Sequence, residues 1–317
     1  MLDLVKRPVR AVLGAVKTRQ AEKRVTALLA DRTFSVESFD FENFRAGVLG
    51  FLKSMQTDEA GVQYRYSAYS RKPTLYSSAY ACMTLSLLDS MGSLSTETRH
   101  RWAGFFDSFQ RESDGLFYDP VVAGSLFDQS DWWGARHLAL HMISAYTVIG
   151  RRPKYPFTFL DRYCDLAYLE RWLDGYNWLQ RVSDSNDFDN KLMNIGGLLQ
   201  YRRDFWGDQN ADDAVTYIQQ YLYEKINPES GMWGSYDTLN PTRRSRVVQF
   251  AYHLFQIYFY DGKFDFDADK VNRIALSTQN IWGGFGVKPN SSACEDIDSI
   301  DILIRLANRT PRLETDI

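Results

Sequence analysis

The chain predicts an all-α fold, an α/α-toroid in which outer and inner helices form an incomplete or six-pair double ring. Two observations lead there. A glycine–aromatic turn recurs at Gly61 ("DEAGVQYRY"), Gly115 ("ESDGLFYDP"), Gly175 ("LDGYNW"), Gly231 ("ESGMWGSYD") and Gly284 ("WGGFG"), at spacings of 54, 60, 56 and 53 residues. A near-constant period of that size marks a repeated structural unit. The turns also separate two kinds of helical stretch. Before a turn the sequence is amphipathic, as in "STETRHRWAGFFDSFQ" and "NADDAVTYIQQYLYEKI". After it comes a stretch that is apolar almost all round. An amphipathic helix covers a core and one apolar on all sides lies inside it, so each repeat reads as outer helix, turn, inner helix.

The elements follow in order. Residues 1–40 form an N-terminal helical segment whose first part, "MLDLVKRPVRAVLGAVKTRQAEKR", is basic and mildly amphipathic. It lacks the apolar run and cleavage site of a secretory signal, so it reads as a surface helix, with peripheral membrane contact as the alternative. Residues 41–317 form the toroid domain. Its inner helices are "YSSAYACMTLSLLDSMG", "DWWGARHLALHMISAYTVIG", "DNKLMNIGGLLQYRR", "RRSRVVQFAYHLFQIYFY" and "DIDSIDILIRLA". Strand signals are weak, and no linker divides the chain.

Composition narrows the function. With 44% hydrophobic and 24% charged residues and a net charge of −3, the chain has no basic excess to recommend a nucleic-acid partner. No apolar run approaches a membrane span. Three scattered cysteines, Cys82, Cys164 and Cys294, give no disulfide framework and suit a cytoplasmic location.

If connections alternate, all inner helices run the same way and their N-termini meet at one mouth. That gathers Arg71 and Lys72, Asp128 and Asp131, Asp184, Asp187 and Asp189, Arg243, Arg244 and Arg246, and Glu295, Asp296 and Asp298. Acids at helix starts satisfy free N–H groups, and Asp131, Asp187 and Asp189 fit that use. The three arginines oppose the dipole and call for an acidic partner or an anionic ligand. Four carboxylates within seven residues, Glu295, Asp296, Asp298 and Asp301, head an otherwise aliphatic helix; capping does not explain Asp298 and Asp301. His137 and His141 share a helix face and read as paired core or cleft histidines; with a third ligand they would hold zinc. Trp132, Tyr252 and His253 complete the substrate-binding set. The 8 Trp, 19 Tyr and 20 Phe supply rings for packing, for stabilising a cation or for stacking on sugars. No motif establishes a cofactor, and zinc or magnesium has none to hold it.

The stretch "GGFGVKPNSSACEDIDSIDILIRL" resembles the terpenoid cyclase and protein prenyltransferase superfamily, which includes the squalene–hopene cyclases. That superfamily has an α/α-toroid with glycine–aromatic turns, and in its proton-initiated members such a turn leads to an Asp-x-Asp-Asp motif. The resemblance implies that Asp298 is the proton donor and Asp296 the first acid, with Glu295 helping to tune it; Ser299 stands where the last Asp is expected. It implies an isomerase that cyclises a prenyl chain or prenyl diphosphate, the arginines holding a diphosphate. In the prenyltransferases an Asp-x-Cys pair binds zinc; here the order is reversed, Cys294 then Asp296. Similar double rings occur in carbohydrate-active hydrolases, lyases and epimerases, so an acidic saccharide is the alternative substrate. A toroid that only binds a partner is the third reading.

Overall fold

The computed structural model describes residues 23, 39–88, 95–122, 130–178, 180, 182, 187–235, 241–280, 283–286 and 293–307. Among these the chain forms eleven α-helices and no β-strand. They are α1 (Phe41–Met55), α2 (Leu75–Leu87), α3 (Thr96–Asp107), α4 (Ala135–Val148), α5 (Asp161–Cys164), α6 (Leu166–Asp174), α7 (Phe188–Trp206), α8 (Gln209–Glu224), α9 (Pro241–Tyr260), α10 (Ala268–Leu276) and α11 (Ala293–Leu306). The five inner-helix stretches coincide with α2, α4, α7, α9 and α11. The N-terminal segment lies outside the described residues save Lys23 and residues 39–40, as do Asp128 and Asp184.

The chain divides into two compact units. The first comprises Met1–Ser38, Asn177–Asp189 and Leu222–Ile317; the second comprises Phe39–Tyr176 and Asn190–Tyr221. In the first, α9, α10 and α11 pack on one another around an aromatic cluster of Trp233, Phe255, Phe264 and Phe266. In the second, α2 packs on α4, and Trp102, Phe106, Tyr146 and Phe117 run ring to ring through the core. Buried Tyr146 donates its hydroxyl to Asp107 at 2.6 Å, so its polar end is satisfied.

Local chemistry explains where helices begin. Asp40, Thr74, Ser95, Asp165 and Asp267 each accept a backbone N–H from the first turn of α1, α2, α3, α6 and α10. Each such cap contributes about 1 kcal/mol.

Four of the five repeated turns share one construction. An antiparallel bridge joins Gln56 to Tyr64, Gln110 to Phe117, Asn227 to Met232 and Gln279 to Phe285. Within each lies a glycine in the left-handed region: Gly61, Gly115, Gly231 and Gly283. The period is thus a repeated reversal that delivers an apolar side chain to the core. Two sequence expectations shift. The left-handed glycine of the last turn is Gly283, not Gly284, and Gly175 has φ −61° and caps the end of α6. In the second turn Gln110 Nε2 donates to the carbonyls of Gly115 (2.7 Å) and Tyr155 (2.8 Å). Its Oε1 accepts from Tyr155 N at 2.8 Å.

Gly115 is the least replaceable of these glycines. Its φ is +77°, and a Cβ there would overlap the Pro156 carbonyl. Gly115→Ala therefore combines left-handed strain with a backbone clash, and is expected to lower unfolding free energy by more than about 3 kcal/mol. Urea denaturation checks this, with Gly207→Ala as the control: its φ is +66° with open space around the Cβ, so only the strain remains.

Helix α11 departs from the expected all-round burial. It buries Asp298, Ser299, Ile302, Leu303 and Leu306 and exposes Ile297, Ile300 and Ile304. Spaced at i, i+3 and i+7, the isoleucines form one stripe, and the 100° turn per residue puts Asp298 on the packed side. No helix among the described residues is long and apolar enough to cross a membrane.

Candidate functional site

The first unit brings together Asp189, Arg246, His253 and Asp298. Asp189 is the second residue of α7 and is fully buried. Arg246 on α9 grips it with two parallel bonds, Nη1 to Oδ2 and Nη2 to Oδ1, both 3.0 Å. His253 lies two turns further along the same face of α9, and its Nδ1 is 2.8 Å from Asp189 Oδ2. Burial alone would push the Asp189 carboxyl up; the bonds from His253 and Arg246 outweigh it and hold the group below its ordinary range. An Nδ1–H given to a carboxylate fixes the ring and leaves Nε2 as the working nitrogen.

Asp298 is the opposite case. It is 3% exposed, and its Oδ2 is buried without a hydrogen-bond partner among the described residues. Burial pushes its pKa up to about 7; His253 and Arg246 pull it down, while Glu295 and Asp189 push it further up by like charge. The carboxyl therefore keeps its proton from the pH at which Asp189 ionises up to about 7. The two acids are held apart in protonation state, with an imidazole interacting with both. A pair of titratable groups driven apart by their surroundings is how acid and base roles are divided in one site.

The neighbours take other roles. Asp296 Oδ1 accepts the Phe285 N–H at 2.6 Å, so this acid holds the glycine-rich turn in place. Asp301 accepts from Arg305 Nε at 2.8 Å and Gln256 Nε2 at 3.4 Å. Tyr252 lies against Asp301 and Asp298, and burial drives its hydroxyl pKa well up. Asp187 is half-buried just ahead of α7. Arg246 meets the acidic partner that a cation at a helix start demands. Arg244 has a buried Nε with no hydrogen-bond partner among the described residues, but two residues on a helix turn it about 200° away from Arg246. The side chain of Arg243 lies outside the described residues.

The second unit holds the other candidates. Asp131 is no helix cap: Gly134 occupies that position, and Asp131 pairs with Arg162 at 3.0 Å and Arg136 at 3.9 Å. The Trp132 carbonyl accepts from Asn194 at 2.7 Å, and its ring meets His137 edge-on at 4.9 Å. His137 and His141 find tyrosines rather than a third metal ligand. Tyr76 Oη is 2.8 Å from His137 Nδ1, Tyr80 Oη is 3.2 Å from His141 Nε2, and the two Nε2 atoms are 3.2 Å apart. Burial pulls the His141 pKa down to about 4, so it is neutral at pH 7. The described residues contain no cluster of three or more His, Cys, Asp or Glu suited to a metal.

Sequence reasoning singled out every member of the Asp189–Arg246–His253 set but not their union. The arginine out of place at a helix start was the signal, and the acid it needed lies 57 residues upstream. The tyrosine–histidine ladder was missed; its trace is that Tyr76 and Tyr80 share the i, i+4 spacing of His137 and His141, each pair 61 residues apart. The chain matches no protein-family model and no curated protein.

Proposed function

We propose that this chain is an acid–base enzyme acting on a saccharide, in which the neutral carboxyl of Asp298 gives a proton and Nε2 of His253 takes one. The α/α-toroid read from the repeated turns is its proposed scaffold. The observation that carries the reading is the division of protonation between two buried acids around one imidazole: Asp298 raised to about 7, Asp189 lowered and bonded to His253. Both oxygens of Asp189 are engaged by Arg246 and His253; it is a positioning residue that orients His253 and stabilises the imidazolium once a proton is taken. Proton transfer is most effective when the donor's pKa lies near working pH. Asp298 suits transfer to a glycosidic oxygen, or a proton exchange at carbon as in a lyase or epimerase.

One observation favours a second reading, the proton-initiated prenyl cyclase. The residue that the resemblance makes the proton donor, Asp298, is the buried carboxyl with a raised pKa. Against it, a donor near pKa 7 is a weak acid for an isolated alkene, and Asp296, the expected first acid, is engaged with the Phe285 N–H.

Turnover separates the two. The full chain is incubated with acidic oligosaccharides and, in parallel, with farnesyl and geranylgeranyl diphosphate. The expected result is saccharide turnover whose kcat/KM falls as pH rises through about 7, where Asp298 loses its proton. Prenyl turnover alone would replace the reading by the cyclase, and no turnover of either class would defeat both.

A further inference from the structure

A pocket of about 550 Å³ in the second unit has an aromatic lining, with Tyr66, Tyr76, Tyr80 and Trp133 beside Val122 and His137. Its volume is that of a small-molecule site. Among the described residues, none of those that line it is Asp, Glu, Lys or Arg. Three of the rings are nearly parallel neighbours: Tyr76 and Trp133 are inclined by 11° with centroids 6.1 Å apart, Tyr76 and Tyr80 by 19° at 6.4 Å. The orientation of the two tyrosines is fixed by hydrogen bonds. The hydroxyls of Tyr76 and Tyr80 are bonded to His137 and His141, and the histidines to each other, so the wall is set before any ligand arrives. His141, bonded to Tyr80 and His137, stays uncharged at neutral pH.

The wall is also one-sided. Trp133 is 60% exposed, Tyr66 75% and Tyr80 45%. Large aromatic rings left in water in one cluster mark a binding surface. A ligand lying there keeps its outer side in solvent. A hydrocarbon chain gains apolar burial on only half its surface under those conditions. A quaternary ammonium is held by ring faces on several sides, which near-parallel neighbours do not provide. A ring with an apolar C–H face and hydroxyls around its edge meets every condition: the face stacks on the wall, and the hydroxyls remain hydrated, avoiding the cost of unpaired polar groups.

We infer that this pocket is a stacking site for the pyranose rings of a neutral saccharide segment, with Trp133, Tyr76 and Tyr80 as the platform. The inference rests on the geometry of the wall and stands whether or not Asp298 is a proton donor.

Ligand-observed saturation-transfer NMR on the full chain tests it, with cellobiose, maltose and lactose as probes and choline and farnesol as comparison ligands. At least one disaccharide is expected to bind in the millimolar range, with saturation concentrated on C–H groups of one ring face. Trp133→Ala should weaken that binding at least about tenfold, while Trp133→Tyr retains most of it. Trp133 is too exposed for either change to unfold the chain, and a thermal melt confirms this. Tyr80→Ala provides a second probe of the same platform. The inference is overturned if no disaccharide binds, if binding survives both alanine variants, or if choline or farnesol binds through Trp133 while the disaccharides do not.

Discussion

On the proposed reading, Asp298→Asn is expected to lower kcat by about 10²–10⁴-fold, the range lost when a positioned proton donor is removed, and at the same time to make the protein more stable at pH 8. The second effect follows from linkage. Unfolded, the carboxyl titrates near 3.9; folded, it titrates at about 7. Its contribution to stability is complete below the unfolded value and declines as pH rises towards the folded one. Once both states are ionised the loss levels off at roughly 4 kcal/mol. Asparagine removes that loss but buries an amide N–H₂ where Oδ2 has no partner, at a cost of about 1–3 kcal/mol. The net expectation at pH 8 is a gain of about 1–3 kcal/mol. Urea denaturation at pH 5 and pH 8 gives the contrast, since the wild type weakens between the two and the variant is nearly flat. A variant as pH-dependent as the wild type would place the raised carboxyl elsewhere.

Asp189→Asn acts in the other direction and is expected to be the most destabilising change in the site. The carboxylate is fully buried and answers a bidentate guanidinium. Removing it leaves the Arg246 charge uncompensated in a dry environment, which costs about 3–5 kcal/mol. The pH signature is inverted. Because the folded pKa of Asp189 is depressed, its stabilisation is present above the unfolded value of about 3.9 and disappears as pH falls through the folded one. The wild type should therefore lose stability on the acid side more steeply than the variant. Activity is expected to fall as well, because an amide in place of the carboxylate no longer offers His253 a charged acceptor. In a purely structural role the pH profile of the remaining activity would keep its wild-type shape; as a positioning residue for the base, Asp189 should move the acidic limb when changed to Asn.

The repeat and the helices were legible because both are local. A glycine with positive φ followed by an apolar anchor leaves a mark at constant spacing, and amphipathic stretches show themselves within a few turns. Gly175 was misjudged because its sequence imitates such a turn, whereas its backbone is an ordinary helix end. The acidic head of α11 was legible as an anomaly, but composition does not say which carboxylate is buried. Helix phase does: it aims Asp296 at the turn, Asp298 at the core and Asp301 at Arg305. The bond between Asp189 and His253 spans 64 residues. It depends on how α9 meets the start of α7, which no local pattern encodes. The same holds for the tyrosine–histidine ladder, set by the register of α2 against α4.

The claim that Asp298 is a buried acid that keeps its proton up to about pH 7 is open to direct observation. With ¹³C placed in the aspartate carboxyl carbons, an NMR titration from pH 4 to pH 9 follows each side chain, and Asp298→Asn identifies the resonance. A carboxyl that titrates near 7 and disappears in the variant is the predicted result. An Asp298 resonance titrating at or below about 4, as in an ordinary exposed aspartate, would contradict the proton donor and the enzyme reading built on it.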